Sequence, residues 1–519
     1  MNKMKKTSLL LSKMASPGAS VSPVAVLEEL YECSLGATRP NRDAEEVARA
    51  LVGGVRAPGE IDVCCLALTL IDRTLARSRV SRFYRDVAEI LLRDLDVLVA
   101  RFGSEEQIIR HLAAKSASSC VLYQLRHSGA LHPAWPHACE QAFSGSPAGP
   151  RPDACLWSLC RVLRGLLRDE SKELVRVLVT AFDAGARALA ARLLPDDADA
   201  FCLLLDLLEL LAAASPESAR VHAGASLSAV GNAPRYFVRK RAALSLKRAA
   251  LRPLPGGEAS GAGVLAAAAL DAVAADWLAS VEVAPASFFG GTGRARDGRR
   301  DATMLRAVGL LVIKSAERRA ASVAANDQSA AETAVYLGSL WRFLRPKGAR
   351  HDEDHDCGVL PLLFAEQDDD MTEAAKAALA IFLRLREHWR QDDACAAGCN
   401  PHCHFLFFLR AVSWDQRLLL DLLISTETCF LEYLVRYLRF LRTDRRGLAA
   451  SCRRMDAERP AEDALERAAG CLLRLRLLIA RLRHKGLFPY KADSLLKLLT
   501  EATRRLKAGR DAGGFCPGQ

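Results

Sequence analysis

Apolar residues recur at helical spacing through long blocks of this chain, and stretches rich in Gly, Pro and charge separate the blocks. In the block RDVAEILLRDLDVLVARFG, apolar side chains return every three or four residues, which places them on one face of a helix. The separating stretches have compositions typical of loops and cover residues 142–153, 252–263, 284–301 and 345–358. This pattern predicts many helices joined by surface loops.

The length of the chain narrows the choice of helical folds. A chain of 519 residues is too long for one compact core, so it forms several domains or an elongated stack of helix pairs. Only 8 Tyr and 6 Trp are present, so strand-forming residues are scarce. We predict an all-α fold, a degenerate HEAT- or armadillo-like helical-repeat solenoid with a C-terminal α-hairpin. A generic multi-helix bundle is the alternative.

Two segments resemble the inner helix of a HEAT or armadillo repeat. Val238–Ala250 (VRKRAALSLKRAA) and Asp370–Leu385 (DMTEAAKAALAIFLRL) place small Ala residues beside charged ones and then Leu at helical spacing. Small residues let neighbouring helices approach closely. No period repeats cleanly along the chain, so we expect degenerate helical hairpins rather than a consensus array.

The predicted domain organisation follows from these blocks and from the polar segments between them. We expect a disordered N-terminal tail, a helical-repeat region, a polar linker, a C-terminal α-hairpin and a disordered tail at residues 1–24, 25–442, 443–463, 464–508 and 509–519. The first residues are basic and free of acid until Glu28, so a mitochondrial presequence is the alternative to the first tail. No apolar run reaches the ~18 residues of a membrane span, so we expect no membrane association.

Cysteines and charges indicate the kind of environment and partner. The sixteen Cys are scattered through Leu-rich context, which favours a reducing compartment in which Cys acts as a small buried hydrophobe. The net charge is +11, and residues 401–519 hold 22 Lys and Arg against 13 Asp and Glu, so nine of the eleven excess charges lie there. A basic C-terminal region is suited to acidic partners or nucleic acid.

The segment from residue 400 to residue 445 carries the sharpest helical pattern. Ser425 and Thr426 are predicted to interrupt a Leu-rich helix and to cap the helix that restarts after them, with Glu427 in its first turn. The restarted helix has an apolar stripe that includes Leu434 and Leu438, and we expect this stripe in the core. Its opposite face is basic. The candidate partner-binding residues on this helix and on the last helix are Arg436, Arg439, Arg442, Arg504 and Arg505.

Two clusters of Cys and His were weighed as metal sites. The set Cys395, Cys399, Cys403 and His404 lies within ten residues, whereas zinc frameworks use two separated ligand pairs. We therefore predict buried cysteines and no metal, with structural zinc on these four residues as the alternative. The cluster His351, His355 and Cys357 is predicted to be a solvated acidic loop.

Catalytic signatures are missing from the sequence. It contains no nucleophile elbow, no HExxH and no kinase signature. We expect no enzymatic activity and no cofactor.

Three longer segments carry a family resemblance. NPHCHFLFFLR at residues 400–410, ISTETCFLEYLVRYLRFL at 424–441 and HKGLFPYKADSLLKLL at 484–499 resemble the Lines family, and VLEELYECSLGAT at 26–38 is similar to the start of its vertebrate members. The resemblance implies a protein that modulates Wnt/Wingless signalling and transcriptional output in development. It also implies movement between cytoplasm and nucleus, and no catalytic residues.

Two functional readings remain at this point. In the first, the chain is an interaction scaffold whose concave face and basic C-terminal hairpin engage signalling or transcription factors. In the second, the Arg-rich C-terminal region binds nucleic acid directly, but Tyr433 and Tyr437 share the apolar stripe and are expected to be buried, so they offer no stacking platform. The basic run Arg239 to Arg241, with Lys247 and Arg248, fits either a nuclear localisation patch or a charged helix face.

Overall fold

A computed structural model of the chain describes ten stretches of residues: 22–36, 38–57, 59–145, 151–252, 261–285, 300–348, 356–364, 366–389, 391–455 and 461–507. In these stretches the secondary structure is helical, apart from turns and one isolated β-bridge between Pro285 and Arg300. The chain divides into two compact units, which we call the N-terminal unit (residues 1–214) and the C-terminal unit (residues 215–519). The predicted all-α class is confirmed, whereas the type of repeat stays a prediction.

The N-terminal unit consists of helices α1 to α10. They are Pro23–Gly36, Ala44–Arg56, Ile61–Arg77, Arg82–Leu91, Leu95–Ala100, Gln107–Ser128, Ala134–Ser144, Pro152–Arg168, Lys172–Ala190 and Ala198–Leu211. Helices α1, α3, α6, α8 and α10 pack in succession and form one layer. Helices α2, α4 with α5, α7 and α9 form a second layer on it. This alternation of successive helices between two layers is the arrangement expected of stacked helical hairpins.

The C-terminal unit consists of helices α11 to α25. They are Pro216–Asn232, Tyr236–Leu251, Gly261–Ala274, Trp277–Ser280, Ala302–Ser322, Asp327–Gly348, Val359–Phe364, Asp368–Leu385, Gln391–Ala396, Pro401–Ala411, Gln416–Ile424, Phe430–Leu441, Arg445–Met455, Ala461–His484 and Asp493–Lys507. A short 3-10 turn, Asp356–Gly358, precedes α17. Helices α24 and α25 pack against each other as the predicted C-terminal hairpin.

Two layers of helices also build the C-terminal unit. Helices α12, α15, α18, α22 and α25 pack in succession, and we call them the first layer. Helices α11, α13, α16, α17, α20, α23 and α24 follow one another in the second layer. The two segments predicted as inner repeat helices, 238–250 and 370–385, lie in α12 and α18, so both belong to the first layer.

Helix α15 forms the centre of this unit because it is buried on every side. All residues from 304 to 316 are buried, including the two cations Arg306 and Lys314. Such cations are tolerated in a core only when they are paired. Arg306 lies 3.5 Å from Glu366, and Lys314 lies 3.3 Å from Glu373.

Local sequence signals explain where several helices begin and end. Asp301 caps α15 by accepting hydrogen bonds from the backbone amides of Thr303 and Met304. Helix α24 ends at His484, and Gly486 closes the turn after it with a φ of +67°, a conformation that costs glycine little.

The segment predicted as a linker differs from that prediction. Within residues 443–463, Arg445–Met455 folds as helix α23. Its Leu448 and Cys452 are fully buried, and α23 packs against α20 and α24. Tertiary burial of these two side chains outweighs a local sequence of low mean hydropathy. Of the predicted tails, residues 1–21 and 509–519 lie outside the described residues, whereas helix α1 begins at Pro23, within the segment 1–24 predicted as a tail.

Among the described helices, none combines the length and the apolar character that crossing a membrane requires.

Two adjacent glycines of α2 allow a matched test of the close packing in the N-terminal unit. A Cβ atom at Gly54 would lie 2.8 Å from Cβ of Ala67 and 2.9 Å from Cδ1 of Leu27, whereas one at Gly53 meets nothing within 4 Å. We expect Gly54→Ala to destabilise the unit by about 1–3 kcal/mol, because Ala67 cannot move without its backbone. Gly53→Ala should stabilise it by about 1 kcal/mol through helix propensity. Thermal unfolding of the two variants measures the difference, and equal melting temperatures would contradict this packing.

Candidate functional site

Helix α22 presents two opposite faces. The buried face consists of Phe430, Tyr433, Leu434, Tyr437, Leu438, Phe440 and Leu441. Leu434 and Leu438 are completely buried, whereas Arg436 and Arg439 are exposed. The orientation predicted from the apolar stripe is therefore confirmed, and it directs the basic face of α22 to solvent.

The start of α22 differs from the prediction. Helix α21 ends at Ile424, and α22 begins only at Phe430, with Cys429 as an N-cap whose side chain makes no capping hydrogen bond. The Ser425 hydroxyl instead accepts a hydrogen bond from the amide of Glu427 at 3.1 Å. The Thr428 hydroxyl donates to the carbonyl of Leu422 at 2.9 Å. The interruption was predicted correctly, but the capping role of Ser425 and Thr426 is wrong, because hydroxyls here close the turn between the helices.

An aromatic cluster packs between α20 and the buried side of α22. Phe405 stacks on Tyr437 with ring centroids 4.1 Å apart, and Phe408 stacks on Phe430 at 5.0 Å. Such contacts stabilise a core beyond simple burial of area. The cluster holds α22 rigidly against α20.

His402 links this cluster to α23. Its Nδ1 lies 3.1 Å from the Tyr437 hydroxyl and its Nε2 lies 3.4 Å from the Asp444 carboxylate. The hydrogen bond from His402 holds the pKa of Asp444 below its usual value, and burial raises the pKa of Tyr437 well above its usual value. His402 therefore serves as a buried structural partner of both groups.

A chain of ion pairs crosses the first layer and ends at α22. Lys314 of α15 lies 3.3 Å from Glu373 of α18, and Glu373 lies 3.0 Å from Lys376. Lys376 then lies 3.3 Å from Glu432 of α22, which pairs with Arg436 at 2.8 Å. We call these five residues the ion-pair ladder. Its alternating charges connect three successive helices of one layer.

The ion pairs of the ladder shift the pKa values of Lys376 and Glu373. Burial by itself would lower the pKa of Lys376, but the hydrogen bond to Glu373 and the nearby acidic groups raise it above its usual value. Burial would likewise raise the pKa of Glu373, but Lys314 and Lys376 lower it. Both groups are therefore charged at neutral pH, and the ladder fixes the register of the helices more than it adds stability.

Four of the five predicted arginines lie on α22 and α25, which pack against each other, and the fifth, Arg442, directly follows α22. The five residues divide into two groups. Arg436 pairs with Glu432, Arg442 pairs with Glu501 of α25 at 2.8 Å, and Arg505 donates to the backbone carbonyl of Arg442. Arg439 and Arg504 are exposed, and neither has an ion-pair partner within the described part of the chain. We call these five residues the arginine face. Its role in partner binding stays a prediction.

A cavity of about 760 Å³ opens beside the ladder, between α12, α13, α15 and α18. Its lining combines apolar side chains with ladder residues, among them Leu251, Val264, Lys314, Glu373 and Lys376. The recess therefore combines apolar walls with the charged groups of the ladder.

The basic run on α12 has a structural role. Arg239 lies 2.7 Å from Glu282, and Lys240 lies 2.7 Å from Asp301. Lys247 pairs with the buried Asp370 of α18. These three side chains hold α12 to its neighbours, and a role of the basic run in nuclear localisation stays a prediction.

The fold separates the four residues that were considered as the alternative zinc site. Cys399 is buried, and burial alone raises the pKa of its thiol to about 12. Cys395 and Cys403 instead converge with Cys357, and the three sulfur atoms lie within 4.8 Å of one another. The prediction that Cys357 belongs to a solvated loop is wrong, because this residue is completely buried. His404 is buried outside the group of three, and His351 and His355 lie outside the described residues.

Two family models match parts of the C-terminal unit. The model described as the Lines N-terminus matches residues 259–452, and the model described as the Lines C-terminus matches residues 468–502. The ion-pair ladder, helix α22 and the three converging cysteines all lie within the first match.

Curated relatives carry the same family name. "Protein Lines homolog 1" of Mus musculus is 29% identical over 462 residues, covering 75% of this chain and 60% of that protein. Its Homo sapiens counterpart is 29% identical over 438 residues, covering 72% and 57%. "Protein lines" of Drosophila melanogaster is 32% identical over 228 residues, covering 41% and 26%. The chain thus spans at most three fifths of the length of these relatives.

Among solved structures, the crystal structure of an engineered protein aligns with a TM-score of 0.46 and 14% identity. The alignment covers 94% of this chain and 97% of that one. A TM-score at this level carries no conclusion about function.

We expect mutations on the two faces of α22 to differ in their effect on stability. Leu434→Ala should destabilise the C-terminal unit by about 2–5 kcal/mol and lower cellular abundance, because it leaves a cavity under the aromatic cluster. The matched double variant Arg436→Ala/Arg439→Ala should change stability by no more than about 0.5 kcal/mol. Chemical unfolding and expression level measure both effects. An unfolded double variant beside a stable Leu434→Ala would mean that α22 faces the other way.

Proposed function

Because the chain belongs to the Lines family, we propose that it is a non-enzymatic interaction scaffold that modulates Wnt/Wingless signalling and transcriptional output in development by binding protein partners. The pathway comes from the family resemblance. The mode of action comes from the arginine face, which is the observation that carries the proposal. We further propose that the partners are signalling or transcription factors met in both nucleus and cytoplasm.

The arginine face has the properties that recognition of an acidic protein segment requires. Guanidinium groups bind carboxylates through two parallel hydrogen bonds, and arginine is enriched where protein interfaces concentrate their binding energy. Three of the five arginines are held by contacts within α22 and between α22 and α25, so the face is ordered before a partner arrives. Pre-ordering lowers the entropy that binding costs. Arg439 and Arg504 are the two side chains left to make new contacts.

A protein partner fits this surface better than a nucleic acid. Binding of single-stranded nucleic acid uses aromatic rings on which bases stack. The aromatic rings of α22 are buried, and Tyr433 and Tyr437 among them are 1% and 0% exposed. The acidic residues Glu432 and Glu501 within the same surface also oppose a phosphate backbone.

Reversing the two unpaired charges tests the proposal. We expect Arg439→Glu/Arg504→Glu to fold like the wild type, because both side chains are exposed. Recovery of partner proteins by affinity purification from cells should fall by about tenfold or more, which corresponds to the loss of one charge-assisted contact. Output of a Wnt reporter should change with it. The matched control is Arg417→Glu, at an exposed arginine of α21, which should leave both readings unchanged.

Two results would contradict the proposal in different ways. If the double variant recovers the same proteins as the wild type and leaves the reporter unchanged, the arginine face is not the recognition surface. If the wild-type chain binds random-sequence DNA below micromolar concentration with a steep salt dependence, and the double variant does not, the surface binds nucleic acid instead.

A further inference from the structure

Three cysteines that are distant in sequence meet inside the C-terminal unit. Cys357 lies in the 3-10 turn before α17, Cys395 in α19 and Cys403 in the first turn of α20. Their sulfur atoms lie within 4.8 Å of one another. Cys357 and Cys403 are completely buried, whereas Cys395 is half-buried. The last side chain thus forms the solvent side of the group.

The spacing of the sulfurs fits a shared ion. The Sγ atoms of Cys395 and Cys403 are 4.0 Å apart, about twice the length of a disulfide bond. Two thiolates that bind one zinc ion at ~2.3 Å each in a tetrahedral site are separated by ~3.8 Å. Trigonal coordination of a similar ion separates them slightly more. The observed distances therefore allow all three sulfurs to reach one central ion with small shifts.

Hydrogen-bond donors favour negative charge on the sulfur of Cys395, and a helix terminus favours it on the sulfur of Cys403. The Asn400 amide nitrogen donates to Cys395 Sγ at 3.1 Å, and Nη1 of Arg454 donates to the same atom at 3.2 Å. Oδ1 of Asn400 caps α20 by accepting from the amides of His402 and Cys403. Cys403 is therefore at the positive end of an eleven-residue helix. Simple packing of three thiols accounts for their burial but not for the guanidinium and the amide directed at one sulfur.

From this arrangement we propose that Cys357, Cys395 and Cys403 bind one soft metal ion, Zn(II) or Cu(I). Thiolates select these two ions over hard cations. Cu(I) is satisfied by three thiolates, whereas Zn(II) takes a fourth ligand, for which the half-buried side at Cys395 leaves access. Asn400 and Arg454 are the positioning residues, since they orient and stabilise the ligating sulfur of Cys395. The ligand set differs from the alternative drawn from sequence, because Cys357 replaces Cys399 and His404.

The proposed ion would cross-link several elements of the C-terminal unit next to the aromatic cluster. It connects the turn 356–358, α19 and α20, and the Arg454 contact extends the connection to α23. Phe407 packs against the three cysteines, which shields the site with apolar surface. Helix α20 also carries Phe405 and Phe408, on which α22 rests. Binding of the ion therefore stabilises the folded form, because an unfolded chain has no preformed site.

Metal analysis of the full-length chain, purified under reducing conditions without a metal-affinity tag, tests the proposal. Elemental mass spectrometry should find one Zn or Cu ion per chain, and the identity of the element decides between the two ions. Cys357→Ser and Cys403→Ser should lose the ion, whereas Cys399→Ser, a matched variant at a buried cysteine outside the group, should retain it. A strong chelator should lower the melting temperature of the wild type by several degrees and leave Cys403→Ser unaffected.

Cobalt titration keeps the test decisive if a serine variant fails to fold. The chelator-treated wild-type chain should bind one Co(II) ion or one Cu(I) ion, and bound Co(II) should show thiolate-to-metal charge-transfer absorption. Three results would overturn the proposal. These are a reduced wild-type chain that neither contains nor takes up these ions, loss of the ion from Cys399→Ser as well as from Cys403→Ser, or a Cys395–Cys403 disulfide in protein alkylated at the moment of lysis.

Discussion

The packing of α22 on α20 is the interaction on which the C-terminal unit depends. Stacked rings from the two helices anchor the apolar stripe of α22 in the core, and the arginines on the opposite face therefore point to solvent. The contacts that the charged residues of α22 make with neighbouring helices depend on this orientation. Glu432 faces Lys376 of α18, and Arg442 faces Glu501 of α25, because the rings have already fixed the rotation of α22 about its axis. The hydrophobic core determines the orientation of α22, and the charged side chains form ion pairs within the limits of that orientation.

The first layer then acts as a single charged framework. The ion-pair ladder passes from α15 through α18 to α22, and the arginine face continues it to α25. The outer pairs, Glu432 with Arg436 and Arg442 with Glu501, are partly exposed to solvent and contribute little stability individually, so their value lies in ordering long side chains. A scaffold gains from such order because a partner then meets prearranged guanidinium groups. The three cysteines meet at the N-terminus of α20. An ion bound there would further stabilise α20, the helix on which α22 packs.

Local features of the sequence predicted a large part of this structure. The 3.6-residue period placed Leu434 and Leu438 in the core, and the composition of residues 238–250 and 370–385 identified two helices of the same layer. Features that depend on distant contacts were not predicted. Nothing local indicates that Cys357 meets Cys395, because 38 residues separate them and only the packing of α17 to α20 joins them. The helix Arg445–Met455 was missed for a related reason, since two buried side chains stabilise it against a polar local sequence.

The central claim is that the arginine face contacts a protein partner directly. Site-specific photo-cross-linking in cells tests it most directly, with a photoreactive amino acid placed at position 439 in one chain and at position 417 in another. Both positions are exposed in the same unit, so they differ in the face they occupy and not in accessibility. We predict that the chain labelled at 439 captures one discrete set of proteins, and that the chain labelled at 417 does not. Capture of the same proteins from both positions, or of nucleic acid alone from position 439, would contradict the account.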